Sequence, residues 1–184
     1  MISLRYGRIL QPAAIDIPTW GVLNLHSGRL PHYRGVMATF RAMLAADSLL
    51  GSTLHWIEDA SIDTGRIVTT RSTPLDPKRC YLSNVLSLYE TGCAATINAI
   101  QRVSVNQDLE SYQAGSGGKY FSFPSAEDLQ AFESAGCIWA DPVFVATLFR
   151  RYQPFADDGA SHSLASIDCS AAGLSARYCA MLDP

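Results

Sequence analysis

Short apolar runs predict four strands in the first half of the chain. Residues 1–4 and 21–25 are almost wholly apolar, which is typical of strands buried on both faces of a sheet. Residues 52–57 and 66–73 predict a pair of neighbouring strands, because they flank a turn that contains Asp63. The first part of the chain is therefore expected to build a sheet.

Three segments between and after these strands carry helical signals. Pro12 suits the start of a short helix over residues 12–17, and the proline that follows ends it. Residues 36–46 and 79–103 repeat apolar residues at helical spacing, which predicts a short and a long amphipathic helix. In the long helix, the apolar positions expected to share one face are Leu82, Val85, Leu86, Tyr89, Cys93, Ile97 and Ile100.

The character of the chain changes after residue 103. A glycine-rich joint at residues 115–118 precedes an alternating aromatic segment, residues 120–124, which predicts a strand. We interpret its aromatic side chains as a packing patch rather than as a platform for a ligand. Helices are predicted over residues 126–135 and 142–152, and little structure is expected in the small, polar tail beyond residue 154.

The composition fits a soluble globular protein and argues against a nucleic-acid partner. Of the 184 residues, 48% are hydrophobic and 17% are charged, with a formal net charge of −3. Residues 1–104 hold ten basic and seven acidic residues (+3), whereas residues 105–184 hold four basic and ten acidic residues (−6). Because binding to RNA or DNA depends on neutralising phosphates with Lys and Arg, the second part is a poor surface for nucleic acid.

The cysteines and the apolar segments favour a cytoplasmic location and give no sign of a metal site. Five cysteines are scattered without a C-x-x-C or Cys/His cluster, so free thiols in a reducing cytosol are expected and a metal site is not. The chain has neither a signal-peptide pattern nor an apolar run of membrane-spanning length, so we expect a cytoplasmic protein without a membrane partner.

Three polar segments carry the residue types needed to move a one-carbon acyl group onto an amine. They are Asn24-Leu25-His26, Leu30-Pro31-His32-Tyr33-Arg34-Gly35 and Ile62-Asp63-Thr64-Gly65. An Asn amide can donate to an oxyanion, and a histidine two residues later points to the same side of a strand. A carboxylate beside that histidine would raise its pKa and orient its ring. On residue types alone, an ordinary strand end remains the more frequent origin of an Asn-x-His pair.

Together these segments resemble the signature of the formyltransferases that use 10-formyltetrahydrofolate, a group that includes the methionyl-tRNA, glycinamide ribonucleotide and sugar-nucleotide enzymes. The resemblance covers roughly residues 5–103. It implies an α/β fold, namely the C-terminal part of a doubly wound Rossmann-like formyltransferase domain, followed by a small α+β extension. Residues 1–104 would be the catalytic domain, incomplete at its N-terminus, and residues 105–184 the extension.

The resemblance also implies a set of site residues and 10-formyltetrahydrofolate as co-substrate, without a metal. Asn24, His26 and Asp63 would be catalytic. The remaining residues would bind or support the folate: Tyr6, Arg8, Ile9 and Leu10 through a segment whose backbone recognises the pteridine ring, Thr53 and His55 on a strand beside the site, and Glu58 and Asp59 in a loop around the ring. For His55, core packing is an equal alternative, and Glu58 and Asp59 also fit a solvated turn.

Two features depart from the family pattern. The βα units that precede the strand at residues 1–4 in the family are absent, so this strand is expected to expose an edge and an apolar face through which copies of the chain could associate. The interval from Gly51 to Asp63 is one residue longer than usual, which predicts a larger or bulged loop near residues 59–61.

The expected function is transfer of a formyl group from 10-formyltetrahydrofolate to a primary amine of a small substrate, such as an amino-sugar nucleotide or an amino-acid derivative. One alternative is a formyltetrahydrofolate hydrolase, which is disfavoured because Ser27 stands where such enzymes carry an extra histidine. A second alternative is a fragment that binds folate or oligomerises without turnover.

Overall fold

A computed structural model describes residues 1–115 and 117–152, which belong to two compact units, Met1–Trp139 and Ala140–Pro184. The predicted tail beyond residue 154, with Cys169 and Cys179, lies outside the described residues. The elements are β1 (Ile2–Leu4), α1 (Pro12–Ile15), β2 (Val22–His26), β3 (Tyr33–Gly35), α2 (Ala38–Leu44), β4 (Leu49–Ile57), β5 (Ile67–Pro74), α3 (Tyr81–Ser104), β6 (Lys119–Phe121), α4 (Ala126–Ser134) and α5 (Pro142–Tyr152).

A four-stranded mixed sheet, in the order β1-β2-β4-β5, is the centre of the first unit. β1 and β2 are parallel, whereas β2 with β4 and β4 with β5 are antiparallel, which confirms the predicted α/β class and the paired strands around Asp63. Asn24 lies opposite His55 and Leu23 lies opposite Trp56 in the β2–β4 register. Because successive side chains of a strand point to opposite faces, the polar pair and the apolar pair lie on different sides of the sheet.

β1 is an edge strand whose side chains stay accessible. Ile2 and Leu4 are both exposed, so the expectation of a strand buried on both faces is wrong for β1, while the expectation of an exposed apolar edge is confirmed. Association of copies through this edge stays a prediction. Among the described residues, no helix combines the length and the apolar character needed to cross a bilayer.

A second, two-stranded sheet was not predicted. β3 and β6 pair in parallel, with Gly35 opposite Phe121. β3 lies in a stretch that we expected to be loop, whereas β6 overlaps the strand predicted over residues 120–124. Gly35 has φ +93°, and a Cβ at this position would collide with the carbonyl oxygen of Phe121. A residue without a side chain is therefore needed where the two strands meet.

The long helix α3 buries a face that differs in part from the one predicted. Ile97 and Ile100 are 55% and 46% exposed. Val85 is buried as predicted, and the other buried positions are Asn84, Leu88, Gly92, Ala95, Thr96 and Ala99. A Cβ on Gly92 would meet the side chains of Leu25 and Ser52 within 3.2 Å, so small residues let the helix backbone lie close to the sheet.

The helices begin where local backbone geometry allows. α2 starts two residues later than predicted, because Met37 adopts a left-handed conformation with φ 57°. α4 carries a complete capping box, in which the side chains of Ser125 and Asp128 each bond the other's backbone amide. In the second unit, α5 has the bounds that were predicted.

Residues after 104 contribute to the core of the first unit. Phe132 of α4 is fully buried and contacts Phe40 of α2, with ring centroids 4.8 Å apart. Trp139 packs on both rings, and Arg41 forms an ion pair with Asp128 at 2.7 Å. The functional division of the chain at residues 104 and 105 stays a prediction, but residues 105–139 are structurally part of the first unit.

Replacing Phe132 with Ala should therefore destabilise the whole first unit. We expect the free energy of unfolding to fall by about 3–5 kcal/mol, because a large buried ring is lost from a cluster of three aromatic side chains. Urea unfolding followed by circular dichroism measures the change. Leu129→Ala, on the exposed side of the same helix, is the matched control and should cost less than about 1 kcal/mol. Equally small changes in the free energy of unfolding for both variants would show that α4 does not unfold cooperatively with the rest of the first unit.

Candidate active site

Adjacent antiparallel strands place three polar side chains on one face of the sheet. Asn24 and His26 alternate along β2, and His55 of β4 lies directly opposite Asn24. The Asn24 amide nitrogen is 3.1 Å from Nε2 of His55. The strand register therefore fixes an amide and two imidazoles next to one another.

Asp63 reaches the same place from the turn between β4 and β5. Its backbone is left-handed, with φ 54°, which turns the side chain back toward the sheet. Its Oδ2 accepts the Gly35 amide at 2.8 Å and lies 3.4 Å from Nδ1 of His26. Its Oδ1 lies 3.4 Å from Nε2 of His55. One carboxylate thus contacts both imidazoles, although 37 residues of sequence separate His26 from Asp63.

Backbone carbonyls determine which nitrogen of each imidazole carries a proton. Nε2 of His26 donates to the carbonyl oxygen of Tyr33 at 2.7 Å, since a carbonyl can only accept. Nδ1 of His55 donates in the same way to the carbonyl of Trp56 at 2.8 Å. In the neutral rings, Nδ1 of His26 then faces Asp63 as a lone pair, and Nε2 of His55 accepts from the amide of Asn24. The second N–H of Asn24 is left for another acceptor.

Burial and neighbouring groups together determine the charge states of His26 and Asp63. Burial lowers the pKa of His26 from its ordinary value, and the Asp63 charge and the Tyr33 carbonyl offset only part of that effect. Burial acts to raise the pKa of Asp63, but His55, the charge of His26 and the Gly35 amide together outweigh it, so the pKa of Asp63 lies below its ordinary value. Near neutral pH the resting pair is therefore a carboxylate beside a neutral imidazole, and the carboxylate favours any imidazolium that forms.

These side chains line a cavity of about 400 Å³. Asn24, His26, His55 and Asp63 all border it. Besides His55, the wall contains five further predicted folate-binding residues: Tyr6, Arg8, Ile9, Leu10 and Asp59. The cavity lies within the range of roughly 300–1,000 Å³ that small-molecule sites occupy.

Thr53 and Glu58 lie away from the cavity wall. The hydroxyl of Thr53 donates to the carbonyl of Gly28 at 2.7 Å and accepts the Leu30 amide at 3.2 Å, so it holds the loop that leads to Tyr33. Glu58 forms an ion pair with Arg66 at 2.7 Å in solvent. A folate contact from either residue stays a prediction.

The loop that was predicted to be bulged closes through a local turn. The carboxylate of Asp59 accepts the amide of Ser61 at 2.7 Å, which shapes the chain just before Asp63. The irregularity of the β4–β5 pairing itself lies between Leu54 and His55.

The cavity also has aromatic walls that were interpreted from the sequence as packing. Phe121 does pack, since it stacks on Tyr33 with centroids 5.8 Å apart. Tyr120 and Phe123, by contrast, are 47% and 75% exposed and border the cavity. Their alternation with Phe121 was the available signal, but only the β3–β6 pairing brings this strand to the site.

Arg5 and Tyr81 are further lining residues without a sequence signal. Arg5 donates to the hydroxyl of Tyr89 at 3.0 Å, which ties the end of β1 to α3. Among the described residues, no three His, Cys, Asp or Glu side chains are arranged to hold a metal ion.

The family model described as "Formyl transferase" matches residues 1–85, which contain all four side chains at the centre of the site. Methionyl-tRNA formyltransferase of Hydrogenovibrio crunogenus is 33% identical over 107 residues, which cover 58% of this chain and 34% of the relative. The enzyme of the same name from Neisseria meningitidis is 28% identical over 190 residues, covering 95% of this chain and 61% of the relative. The chain thus spans about a third of the length of the first such relatives.

Solved structures share the fold. An N-formyltransferase from Helicobacter canadensis, in complex with folinic acid and dTDP-3-aminofucose, is 27% identical with a TM-score of 0.57, covering 69% of this chain and 45% of its own. The sugar 3N-formyl transferase WlaRD, determined in the presence of dTDP and 5-N-formyl-THF, is 25% identical with a TM-score of 0.57, covering 66% and 43%. The mixed sheet described above is therefore the Rossmann-like formyltransferase fold, as was predicted.

The lowered pKa of His26 predicts a loss of stability in mild acid. The unfolded chain takes up a proton on this histidine near pH 6.5, whereas the folded form resists protonation until a lower pH. The free energy of unfolding should therefore fall as pH drops from about 6.5 toward the folded pKa, by up to about 1.4 kcal/mol per pH unit. Urea unfolding between about pH 5.5 and 8 measures this slope.

His26→Asn should flatten the dependence of the free energy of unfolding on pH below about 6.5. His32→Asn, at an exposed position, is the control and should leave this dependence unchanged. If the profiles of the wild type and His26→Asn coincide, the pKa of His26 does not differ between the folded and unfolded chains.

Proposed function

We propose, from the premise that residues 1–85 belong to the formyl transferase family, that this chain transfers the formyl group of 10-formyltetrahydrofolate to a primary amine of a small acceptor. The observation that carries the proposal is the meeting of Asn24, His26, His55 and Asp63 at the wall of one cavity. These residue types serve oxyanion stabilisation and proton transfer, which are the two demands of acyl transfer to an amine.

The cavity residues fit a folate. Tyr6, Ile9 and Leu10 give one wall an apolar and aromatic character suited to a flat ring, and Asp59 adds hydrogen-bond acceptors for ring amino groups. Two of the structural neighbours were determined with formylated folates. When bound, the folate would supply the electrophilic formyl carbon.

Asn24 would stabilise negative charge that develops on the formyl oxygen. One N–H of its amide is engaged by Nε2 of His55 at 3.1 Å, which fixes the plane of the amide before the reaction. Because the amide group is planar, the direction of its second N–H is fixed as well, and this N–H would donate to the formyl oxygen. A donor oriented in advance costs no reorganisation when the charge appears.

Asp63 and His26 would hold the proton that the amine loses. Asp63 is ionised near neutral pH and can accept that proton, and His26 presents a lone pair 3.4 Å from the same carboxylate. An imidazolium formed at His26 would add positive charge beside the developing oxyanion. The pair can return the proton to the leaving nitrogen, so the site ends the cycle in its starting protonation state.

The acceptor that these walls favour carries a ring and an anionic group, as an amino-sugar nucleotide does. Tyr120 and Phe123 offer ring faces for stacking, and Arg5 and Arg8 add positive charge to the wall. The two folate-bearing neighbours were determined with dTDP or a dTDP-linked amino sugar. The relatives named for methionyl-tRNA suggest a different acceptor, which the charge of −6 on residues 105–184 disfavours.

Localisation in the cytoplasm is part of the same proposal. Cys80, Cys93 and Cys137 are free thiols in the structure, which suits a reducing compartment.

Asn24→Ala and His26→Ala should each lower turnover about 10²–10³-fold, because each removes one group that meets developing charge or a proton. Formyl transfer from 10-formyltetrahydrofolate to a panel of amines, including amino-sugar nucleotides and methionyl-tRNA, provides the assay. Calorimetric titration with a stable folate analogue should show binding in both variants and in the exposed-site control His32→Ala.

Folate binding without transfer to any amine would favour the non-catalytic alternative. Formate release at the same rate with and without amine would favour a hydrolase. Full activity in His26→Ala would contradict the assigned chemistry.

Tyr120→Ala and Phe123→Ala should raise KM for the acceptor about tenfold each and change kcat little, since stacking contacts form before the reaction. The folate Kd should stay unchanged. Tyr112→Ala is the matched control, because Tyr112 is an equally exposed aromatic residue outside the cavity wall. A weaker folate Kd with an unchanged acceptor KM would instead assign the two aromatic residues to the folate.

A further inference from the structure

A second cavity, of about 350 Å³, lies on the other face of the sheet and shares no lining residue with the first. The strand alternation explains its position, because Trp56 follows His55 in β4 and points the opposite way. Its lining residues are Trp20, Trp56, Val103, Asn106, Gln107, Asp108 and Leu109.

Two indoles give this cavity its character. Trp56 rests on the buried cluster that includes Leu23 and Leu54, so its position is fixed by the core. Trp20 is 44% exposed, which is unusual for so large an apolar side chain. A Cβ on Gly21, between Trp20 and β2, would come within 3.2 Å of the Trp56 ring, and φ there is +74°. Glycine at position 21 therefore lets the chain pass close to the Trp56 ring, so that Trp20 and Trp56 line one cavity.

The opposite wall is held by backbone hydrogen bonds at the end of α3. Asn106 adopts φ 57° and turns the chain, and the Gln107 amide donates to the carbonyl of Arg102 at 2.9 Å. The guanidinium of Arg102 donates to the carbonyl of Asp108, also at 2.9 Å. These contacts hold Asp108 in place by its backbone and leave its carboxylate free of any ion pair within residues 1–115 and 117–152.

We propose that this cavity binds a small organic cation, an ammonium group that carries apolar substituents. The face of an indole attracts cations, and a carboxylate without a partner supplies the counter-charge. Asp108 is the one charged residue among the seven that line the cavity, so its lining is negative. Because Asp108 is exposed to solvent, a neutral apolar ligand gains nothing from its charge, whereas a cation is attracted and an anion is repelled.

The proposal is independent of formyl transfer and is tested by binding alone. Choline is the probe, and its uncharged carbon isostere 3,3-dimethylbutan-1-ol has the same shape without the charge. Tryptophan fluorescence of the full chain reports binding, because two of the three tryptophans line the cavity and Trp139 packs elsewhere, against Phe40 and Phe132.

Choline should change the fluorescence in a saturable way, with a Kd at least about tenfold lower than that of the isostere. Asp108→Asn should raise the choline Kd about tenfold, and Trp20→Leu should abolish the response. Glu110→Gln removes the same charge two residues away, outside the lining, and is the matched control that should leave the Kd unchanged.

Three results would overturn the proposal. Equal affinity for choline and the isostere would make the cavity an apolar pocket without a preference for charge. A choline Kd weakened as much by Glu110→Gln as by Asp108→Asn would place the cation on the general acidic surface. The absence of any saturable response in the folded wild-type chain would leave the cavity without this ligand class.

Discussion

The structure around the site depends on how the negative charge of one buried carboxylate, that of Asp63, is stabilised. Asp63 is largely withdrawn from water, and an ionised carboxylate in such a position costs several kcal/mol unless donors surround it. The groups around it come from three separate segments: the Gly35 amide of β3 donates to it, and the imidazoles of His26 from β2 and His55 from β4 each lie 3.4 Å from one of its oxygens. Satisfying this one charge therefore requires the turn after β4, the second sheet and two central strands to meet at one point.

The contacts that stabilise the Asp63 carboxylate also hold the second sheet in place. Gly35 must donate its amide to Asp63 and also lie against Phe121 without a side chain, so one residue links the carboxylate to the β3–β6 sheet. Tyr33, two residues earlier, fixes the proton on His26 through its carbonyl. The segment that precedes α2 thus determines both the tautomer of His26 and the position of the strand that carries Tyr120.

The sequence allowed the local parts of this arrangement to be predicted and not the distant ones. Asn24, His26 and Asp63 stand in short motifs whose alternation and spacing can be recognised along the chain, and the strands around them follow from apolar runs. The prediction for the buried face of α3 was wrong at Ile97, because it relied on hydrophobicity. Packing against the sheet instead favours small residues such as Gly92. The parallel β3–β6 pairing joins segments more than eighty residues apart and leaves no periodic signal, so the walls formed by Tyr120 and Phe123 could not be foreseen.

Strand alternation also explains how so small a chain can carry two unlike cavities. Each residue of β4 serves one face only, so His55 belongs to the polar cluster while Trp56 belongs to the apolar side that packs near α3. His55 and Trp56 are nevertheless connected, since the carbonyl of Trp56 accepts a hydrogen bond from Nδ1 of His55 at 2.8 Å. The carbonyl that orients the His55 ring on one face of the sheet thus belongs to a residue whose indole packs against the core on the other face. The packing of Trp56 therefore helps to orient the polar cluster, because a shift of the backbone at Trp56 would remove the hydrogen bond that selects the tautomer of His55.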